Sequence, residues 1–264
     1  MAEKKTVLIT GGTSGIGYEL AKKFAKEGYD LVIVARKEKE LQEAATNLKS
    51  YESCKVTTVA KDLFNPENAF ELYRELREKN LVIDILVNDA GQGHFGPFVE
   101  TDIDRDLDII QLNITSLVVL SKLFGKEMAD RGDGKILNLS SIASRLPGPN
   151  DAIYHGTKAF VQSFSEALHY ELKDKGVVVT ALLPGATDTD FFRKAGTEYE
   201  NVSLSKDDMA DPADVAKDGY DALMSGKDMI VSGLKNKIQT KQAAITTDQK
   251  AAKKMAKENE VVKK

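Results

Sequence analysis

Short apolar runs at 7–10, 31–34, 56–59, 85–88, 136–139, 177–183 and 229–231 alternate with longer amphipathic stretches along the 264 residues. The runs are rich in Val and Ile and show little polar alternation, as strands buried on both faces do. Between them, periodic stretches near 15–27, 38–50, 66–79, 103–130, 152–174 and 212–225 predict helices. Asn65-Pro66 and Asp211-Pro212 put proline at a first helical position. Such alternation constrains the chain to an α/β fold: a doubly wound parallel sheet of about seven strands, with right-handed crossovers. No second set of strands and no linker rich in Pro, Gly or Ser interrupts the pattern, so one domain is expected over 1–236. Two regions do not follow the alternation. Residues 187–210 are polar and aperiodic, a lid or a loop. Residues 237–264 are Lys/Ala-rich, and a solvated terminal helix or a frayed tail is expected there.

The first run leads into Thr10-Gly11-Gly12-Thr13-Ser14-Gly15-Ile16-Gly17 and then into the first helix. Small residues let backbone approach a pyrophosphate, and a helix N-terminus supplies free N–H groups and partial positive charge. Gly17 permits tight packing of helix on strand. This position in the alternation predicts a dinucleotide site. An acid after the second strand would bind the ribose 2′-OH of NAD. The chain instead has Ala35-Arg36-Lys37, two cations suited to a 2′-phosphate, so NADP(H) is the expected cofactor.

Tyr154-His-Gly-Thr-Lys158 places a phenol and an ammonium on one helix face. A neighbouring ammonium favours phenolate and lowers the phenol pKa, giving a proton donor and acceptor usable near neutral pH. The same spacing occurs at Tyr18/Lys22 and Tyr51/Lys55. The third copy differs in its company, with Ser141 thirteen residues upstream and Asn113 further back. Ser140 and Ser144 compete with Ser141. Adjacent strand-end residues point to opposite sides, so only one of Ser140 and Ser141 should face the site.

In these ordered motifs the chain resembles the short-chain dehydrogenase/reductase family over about 6–231, which implies a Rossmann fold. The glycine turn supplies Gly11, Thr13, Ser14, Gly15, Ile16 and Gly17. The family's acid beside the adenine corresponds to Asp62, followed by Leu63. Its Asn-Asn-Ala-Gly stretch appears as Asn88-Asp89-Ala90-Gly91, with aspartate at the second position. Asn113, Ser141, Tyr154 and Lys158 match the active-site set, and Ser141 is the serine at the family's offset. Pro184, Gly185, Thr187 and Thr189 match the segment that meets the carboxamide and phosphates. The resemblance implies hydride exchange between nicotinamide and a carbonyl or secondary alcohol. In it, Tyr154 is the general acid/base, Lys158 holds the nicotinamide ribose and lowers the phenol pKa, and Ser141 bonds the substrate oxygen. Asn113 would hold a water linking Lys158 to solvent. It also implies a homodimer or homotetramer through helices 103–130 and 152–174, where Val118, Val119, Phe160 and Phe164 fall.

An NADP(H)-dependent carbonyl reductase is therefore the expected function. A 3-oxoacyl thioester reductase is its rival among enzymes, and a regulatory module that binds NADP without turnover is the rival of another class. Arg193-Lys194 would serve the thioester reading. His94, Phe95, Leu146, Phe191 and Phe192 are the candidate substrate walls, against plain loop or packing roles. His94, His155 and His169 lack metal-ligand spacing, so no metal is expected. A net charge of −4 gives no electrostatic reason to expect nucleic acid or an anionic membrane. No secretory signal is read at the N-terminus. No apolar run approaches the ~20 residues that cross a bilayer. The one cysteine, Cys54, has no partner for an internal disulfide. A cytoplasmic location is the expectation.

Overall fold

The structure, a computed structural model, describes residues 4–51, 54–195, 209–244 and 246–258. The apolar runs become strands β1 (Thr6–Thr10), β2 (Asp30–Ala35), β3 (Val56–Ala60), β4 (Ile85–Asn88), β5 (Gly134–Leu139), β6 (Val177–Leu183) and β7 (Met229–Val231). They form one sheet in the order β3-β2-β1-β4-β5-β6-β7, and every pairing is parallel. Successive residues enter opposite faces. Val7 and Ile9 join a core with Leu20, Phe24, Leu41 and Val215, whereas Leu8 joins one with Leu72, Leu120, Phe124 and Met128. Burial on both faces accounts for the uninterrupted apolar strands.

The helices are α1 (Gly15–Lys26), α2 (Glu38–Leu48), α3 (Pro66–Glu78), α4 (Ile103–Ile110), α5 (Ser116–Arg131), α6 (Ala152–Leu172), α7 (Phe191–Lys194), α8 (Pro212–Met224), α9 (Leu234–Ala244) and α10 (Asp248–Glu258). Asn65 caps α3 by accepting from Glu67 N–H, and Asp211 caps α8 by accepting from Ala213 N–H. Each has proline at the first helical position, where its missing N–H is not needed. The strand order reverses between β1 and β4. In a doubly wound sheet, ligands bind outside the carboxyl ends of the strands at that switch point.

Two expectations change. The helix expected over 103–130 is broken by a π-turn at Gln111–Thr115, which carries Asn113. Such turns often occur at functional sites. The whole run Ile103–Arg131 is long and apolar enough to cross a membrane, contrary to the reading of the sequence. Many of its apolar residues serve the core: Ile109, Leu112, Leu120, Phe124 and Met128 are buried, whereas Ile103 and Leu107 are exposed. The described residues of 237–258, expected as a solvated terminal helix or a frayed tail, continue α9 and form α10, with many side chains exposed. The boundary expected at 236 falls inside α9, Ala251 on α10 is buried, and Gln239 and Met255 border the main cavity. Asn236 packs so closely on Gly185 that a β-carbon there would lie 2.5 Å from the amide. Of 187–210, residues 196–208 lie outside the described residues. The described part forms the short helix α7 and a bridge between Thr187 and Ala210. On α6, Phe160 is exposed and stacks with Phe164 at 5.7 Å, while Val118 and Val119 are half-buried.

Candidate active site

A cavity of about 450 Å³ lies at the carboxyl ends of the strands. It runs from Arg36, Lys37 and Phe64 past the glycine turn to Tyr154 and α7. Gly11 and Gly15 have φ of +75° and +57°, conformations open to glycine. A β-carbon at Gly15 would stand 3.0 Å from Thr189 Cγ2, so glycine lets the turn close against the Thr189 side chain. Ser14 occupies the N-cap of α1 but its hydroxyl caps nothing, which leaves the first-turn N–H groups to the cavity. Thr13, Ile16, Asp62, Leu63, Ala90, Gly91, Pro184, Gly185 and Thr187 also border it. These are the features that a dinucleotide's phosphates require.

At the outer end Arg36 is exposed, and its guanidinium carbon lies 5.1 Å from the Phe64 ring centroid. Arg105, from α4, lies 5.2 Å from the same ring and donates to Gln92. Two cations thus share one aromatic platform. Lys37 is paired with Glu40 at 2.8 Å. Asp62 accepts from the Phe64 N–H at 3.2 Å and so fixes the platform's turn.

At the inner end, Ser140 and Ser141 diverge as strand geometry requires. Ser140 borders the cavity but its Oγ is committed to the Lys158 carbonyl at 2.8 Å. Ser141 Oγ hydrogen-bonds the Tyr154 phenol and accepts from Ala143 N–H at 3.1 Å. Ser144 Oγ is spent on the Ser141 carbonyl. Lys158 Nζ donates to the Leu139 carbonyl at 2.7 Å and lies 5.6 Å from the Tyr154 ring centroid. Asn113 donates from Nδ2 to the Gln92 carbonyl and to Thr157 Oγ1, and its Oδ1 accepts from Gln92 N–H. Both of its amide hydrogens are committed, so a water held there must bond to an acceptor oxygen. A β-carbon on Gly91 would lie 3.2 Å from Asn113 Oδ1 and 3.3 Å from Lys158 Nζ, so glycine keeps that corner open.

Burial dominates the electrostatics. It pushes the Tyr154 phenol well above its usual range, against the lowering hydrogen bond from Ser141, and the fields of Asp151 and Asp89 add to the rise. Burial is thus the largest influence on the phenol. Burial also brings the Lys158 ammonium down to about 8, with Asp89 opposing. Asp89 is pushed up to about 7 by burial, against Lys158, the Gly17 N–H and Lys194. Its carboxyl sits against Gly11 and Gly17, where β-carbons would fall 2.8 and 2.4 Å from Oδ2. The aspartate at the family's asparagine position therefore packs on the glycine turn itself.

Several expected residues stand elsewhere. Asn88 lies beneath the floor and does not border the cavity. Its Nδ2 donates to Asn138 and Ser121, tying β4 to β5 and α5. His94 is held by the buried Asp106 at 3.1 Å and is not part of the lining. Gly17 meets Asp89 rather than the cavity. Phe95, Leu146, Phe191 and Phe192 do border it, and Phe191 packs on Tyr154 at 5.0 Å between centroids. Sequence reasoning missed Phe64, Gln92, Asp151, His155, Gln239 and Met255 as lining residues. The other Tyr/Lys pairs lie outside the cavity, where Lys22 pairs with Glu19 and Lys26 approaches Tyr51. Burial pushes the Cys54 thiol up to about 11, which keeps it unreactive. No cluster of three metal-ligating side chains occurs among the described residues.

Residues 5–200 match the family profile described as short chain dehydrogenase. A very-long-chain 3-oxoacyl-CoA reductase of Rattus norvegicus is 35% identical over 183 residues, which cover 67% of this chain and 57% of that protein. The chain thus accounts for little more than half of that relative's length. Dehydrogenase/reductase SDR family member 7B of Danio rerio is 30% identical over 88% of this chain and 78% of its own. Among solved structures, a short-chain dehydrogenase from Sphingobium yanoikuyae in complex with NADPH superposes with a TM-score of 0.81 at 30% identity. That match covers 92% of this chain and 96% of the other. A bulky-bulky ketone specific alcohol dehydrogenase from Comamonas testosteroni matches with a TM-score of 0.76 at 29% identity, over 91% and 92% of the two chains.

Proposed function

Because the chain belongs to the short-chain dehydrogenase/reductase family, we propose that it is an NADP(H)-dependent oxidoreductase interconverting a carbonyl compound and a secondary alcohol. The observation that carries this reading is the convergence of Ser141, Tyr154 and Lys158 at one end of a cavity whose other end presents Arg36. When bound, NADP(H) supplies the hydride chemistry; the protein orients and polarises. Arg36, on its Phe64 platform, and Lys37 would meet the 2′-phosphate, and no carboxylate ends β2 to oppose it. The glycine turn and the first N–H groups of α1 would hold the pyrophosphate, with Asp62 and Leu63 beside the adenine. Pro184, Gly185, Thr187 and Thr189 would border the nicotinamide side.

Tyr154 is a phenol kept protonated by its surroundings, the state needed to donate to a carbonyl oxygen during reduction. Ser141 stands beside it as a second donor to the oxygen where negative charge develops. Lys158, an ammonium below about pH 8, would hold the ribose and stabilise the phenolate left after proton transfer. Asn113 fixes the backbone at Gln92 and the turn of α6 through Thr157. NADPH supports the cofactor assignment in one further way, as the ligand of the Sphingobium neighbour.

A second reading narrows the substrate to a 3-oxoacyl thioester. It is favoured by the name of the rat relative and by Arg193 and Lys194 at the cavity wall. Oxidation of NADPH and NADH, measured side by side on a panel of ketones, aldehydes and 3-oxoacyl thioesters, tests both readings. Turnover with NADPH favoured over NADH is expected. Tight NADPH binding without turnover of any member would replace the enzyme with a regulatory NADP-binding module.

A further inference from the structure

Asp151 immediately precedes α6 and stands one helical turn before Tyr154. An aspartate at this position ordinarily accepts from the second or third N–H of its helix. Asp151 makes no such bond. It is 3% exposed and borders the cavity, and its Oδ1 is buried without any hydrogen-bond partner. Buried polar atoms are nearly always paired, so an orphan at a cavity wall points to a missing partner.

The loop before α6 holds this side chain in place. Asp151 N–H donates to the Gly148 carbonyl at 3.1 Å, and the Asp151 carbonyl accepts from His155 N–H at 3.1 Å. Asn150 takes a left-handed φ of +63°, and its carbonyl accepts from Gly96 N–H at 2.8 Å. Gly148 lies flat on the His155 ring, where a β-carbon would come within 2.2 Å. His155 commits its Nδ1–H to the Leu146 carbonyl at 2.8 Å, and burial lowers its pKa, so the ring is held neutral with no second N–H to offer the carboxyl. Among the described residues no cation is paired with the carboxyl, and burial raises its pKa well above the usual carboxylate range. Burial thus favours the protonated carboxyl, which has one O–H to donate and oxygens to accept.

We propose that Asp151 is a specificity-determining residue whose carboxyl hydrogen-bonds a second oxygen function on the substrate, so that 3-oxo esters and hydroxyketones are preferred to simple ketones. Because residues at i and i+3 share a helix face, the second oxygen would sit a short way along the substrate from the carbonyl that meets Tyr154. This inference rests on the carbonyl-reduction reading and narrows its substrate class. A site built to bond a substrate oxygen discriminates against analogues that lack it, since its own polar group is then left unpaired.

The test compares kcat/KM for ethyl 3-oxobutanoate and 2-hexanone with NADPH in the wild type, Asp151→Leu and Asp151→Asn, each first shown to melt cooperatively. The wild type is expected to favour the ester. Asp151→Leu should shrink the ester-to-ketone ratio by about tenfold or more, and Asp151→Asn, which keeps a donor and an acceptor, should hold it within about threefold. If Asp151→Leu does not fold, Asp151→Ala takes its place under the same criterion. An unchanged ratio in the apolar variant, or a wild type that favours the ketone, overturns the Asp151 assignment alone. A wild type that reduces neither compound overturns the reductase reading and this assignment with it.

Discussion

The two ends of the cavity work by opposite physics. The outer, cofactor end relies on backbone N–H groups, glycines with left-handed φ and an exposed arginine braced on Phe64. Its charges are wet, so it selects by attraction and shape. The inner, chemical end holds Lys158, 6% exposed, Asp151, and a tyrosine walled by Phe191. There desolvation outweighs neighbouring charge in Tyr154, Lys158 and Asp151 alike. The difference shows how one cleft can bind an anion firmly and still keep a phenol protonated: ionic recognition is confined to the solvated end.

The largest effect separating the two ends is expected from Tyr154→Phe. It keeps the ring that packs on Phe191 and removes the one phenolic proton that the described residues bring to the site. The loss should lie in kcat, roughly 100- to 10,000-fold, because a general acid contributes about that much. NADPH affinity, followed by fluorescence titration, should change far less. A variant with near wild-type turnover would show that the proton comes from elsewhere. At the opposite end, Arg36→Asp should spare kcat. It should weaken kcat/KM for NADPH by about 10- to 100-fold, the range for a lost charge-assisted hydrogen bond, and should improve NADH in relative terms. Steady-state kinetics with both cofactors measure this, and an unchanged NADPH/NADH ratio would remove Arg36 from 2′-phosphate recognition.

Parts of both ends were legible in the sequence. The strand runs, the glycine turn, Arg36 and the Ser141/Tyr154/Lys158 register all depend on local spacing, which a sequence displays directly. What escaped depends on contacts between distant segments. Asn88 belongs to a motif that reads as cofactor-binding, yet pairing with Asn138 on the next strand holds it under the floor. His94 looked like a pocket residue, but Asp106, twelve positions on, holds it and it is not part of the lining. Phe64 gained its role from two arginines on different elements. Asp151 reads as an ordinary helix cap, and only its failure to cap distinguishes it. The Lys-rich end of the chain offered one overlooked signal. Ala251 and Met255 are four residues apart on α10, enough for a narrow apolar stripe, and they mark the side that packs inward.

Asp89 lies where the two ends meet, and it yields the smallest predicted effect. Its carboxyl touches the glycine turn of the cofactor end and exchanges field with Lys158 of the chemical end. Its pKa of about 7 in the fold exceeds the ordinary 3.8, so the native state binds this proton more tightly than the unfolded chain. Between those two values the native state carries more protons, and stability from this group falls as pH rises. A salt-bridged aspartate has the opposite sign. Asp89→Asn keeps the shape, can still accept from the Gly17 N–H, and does not ionise. Relative to wild type it should raise Tm by about 2–6 °C at pH 8 and by much less at pH 5. Equal shifts at both pH values would show that the carboxyl does not titrate across this range. A lower Tm at pH 8 would show that attraction to Lys158 outweighs burial, and that wet-end physics reaches further into the cleft than the buried groups indicate.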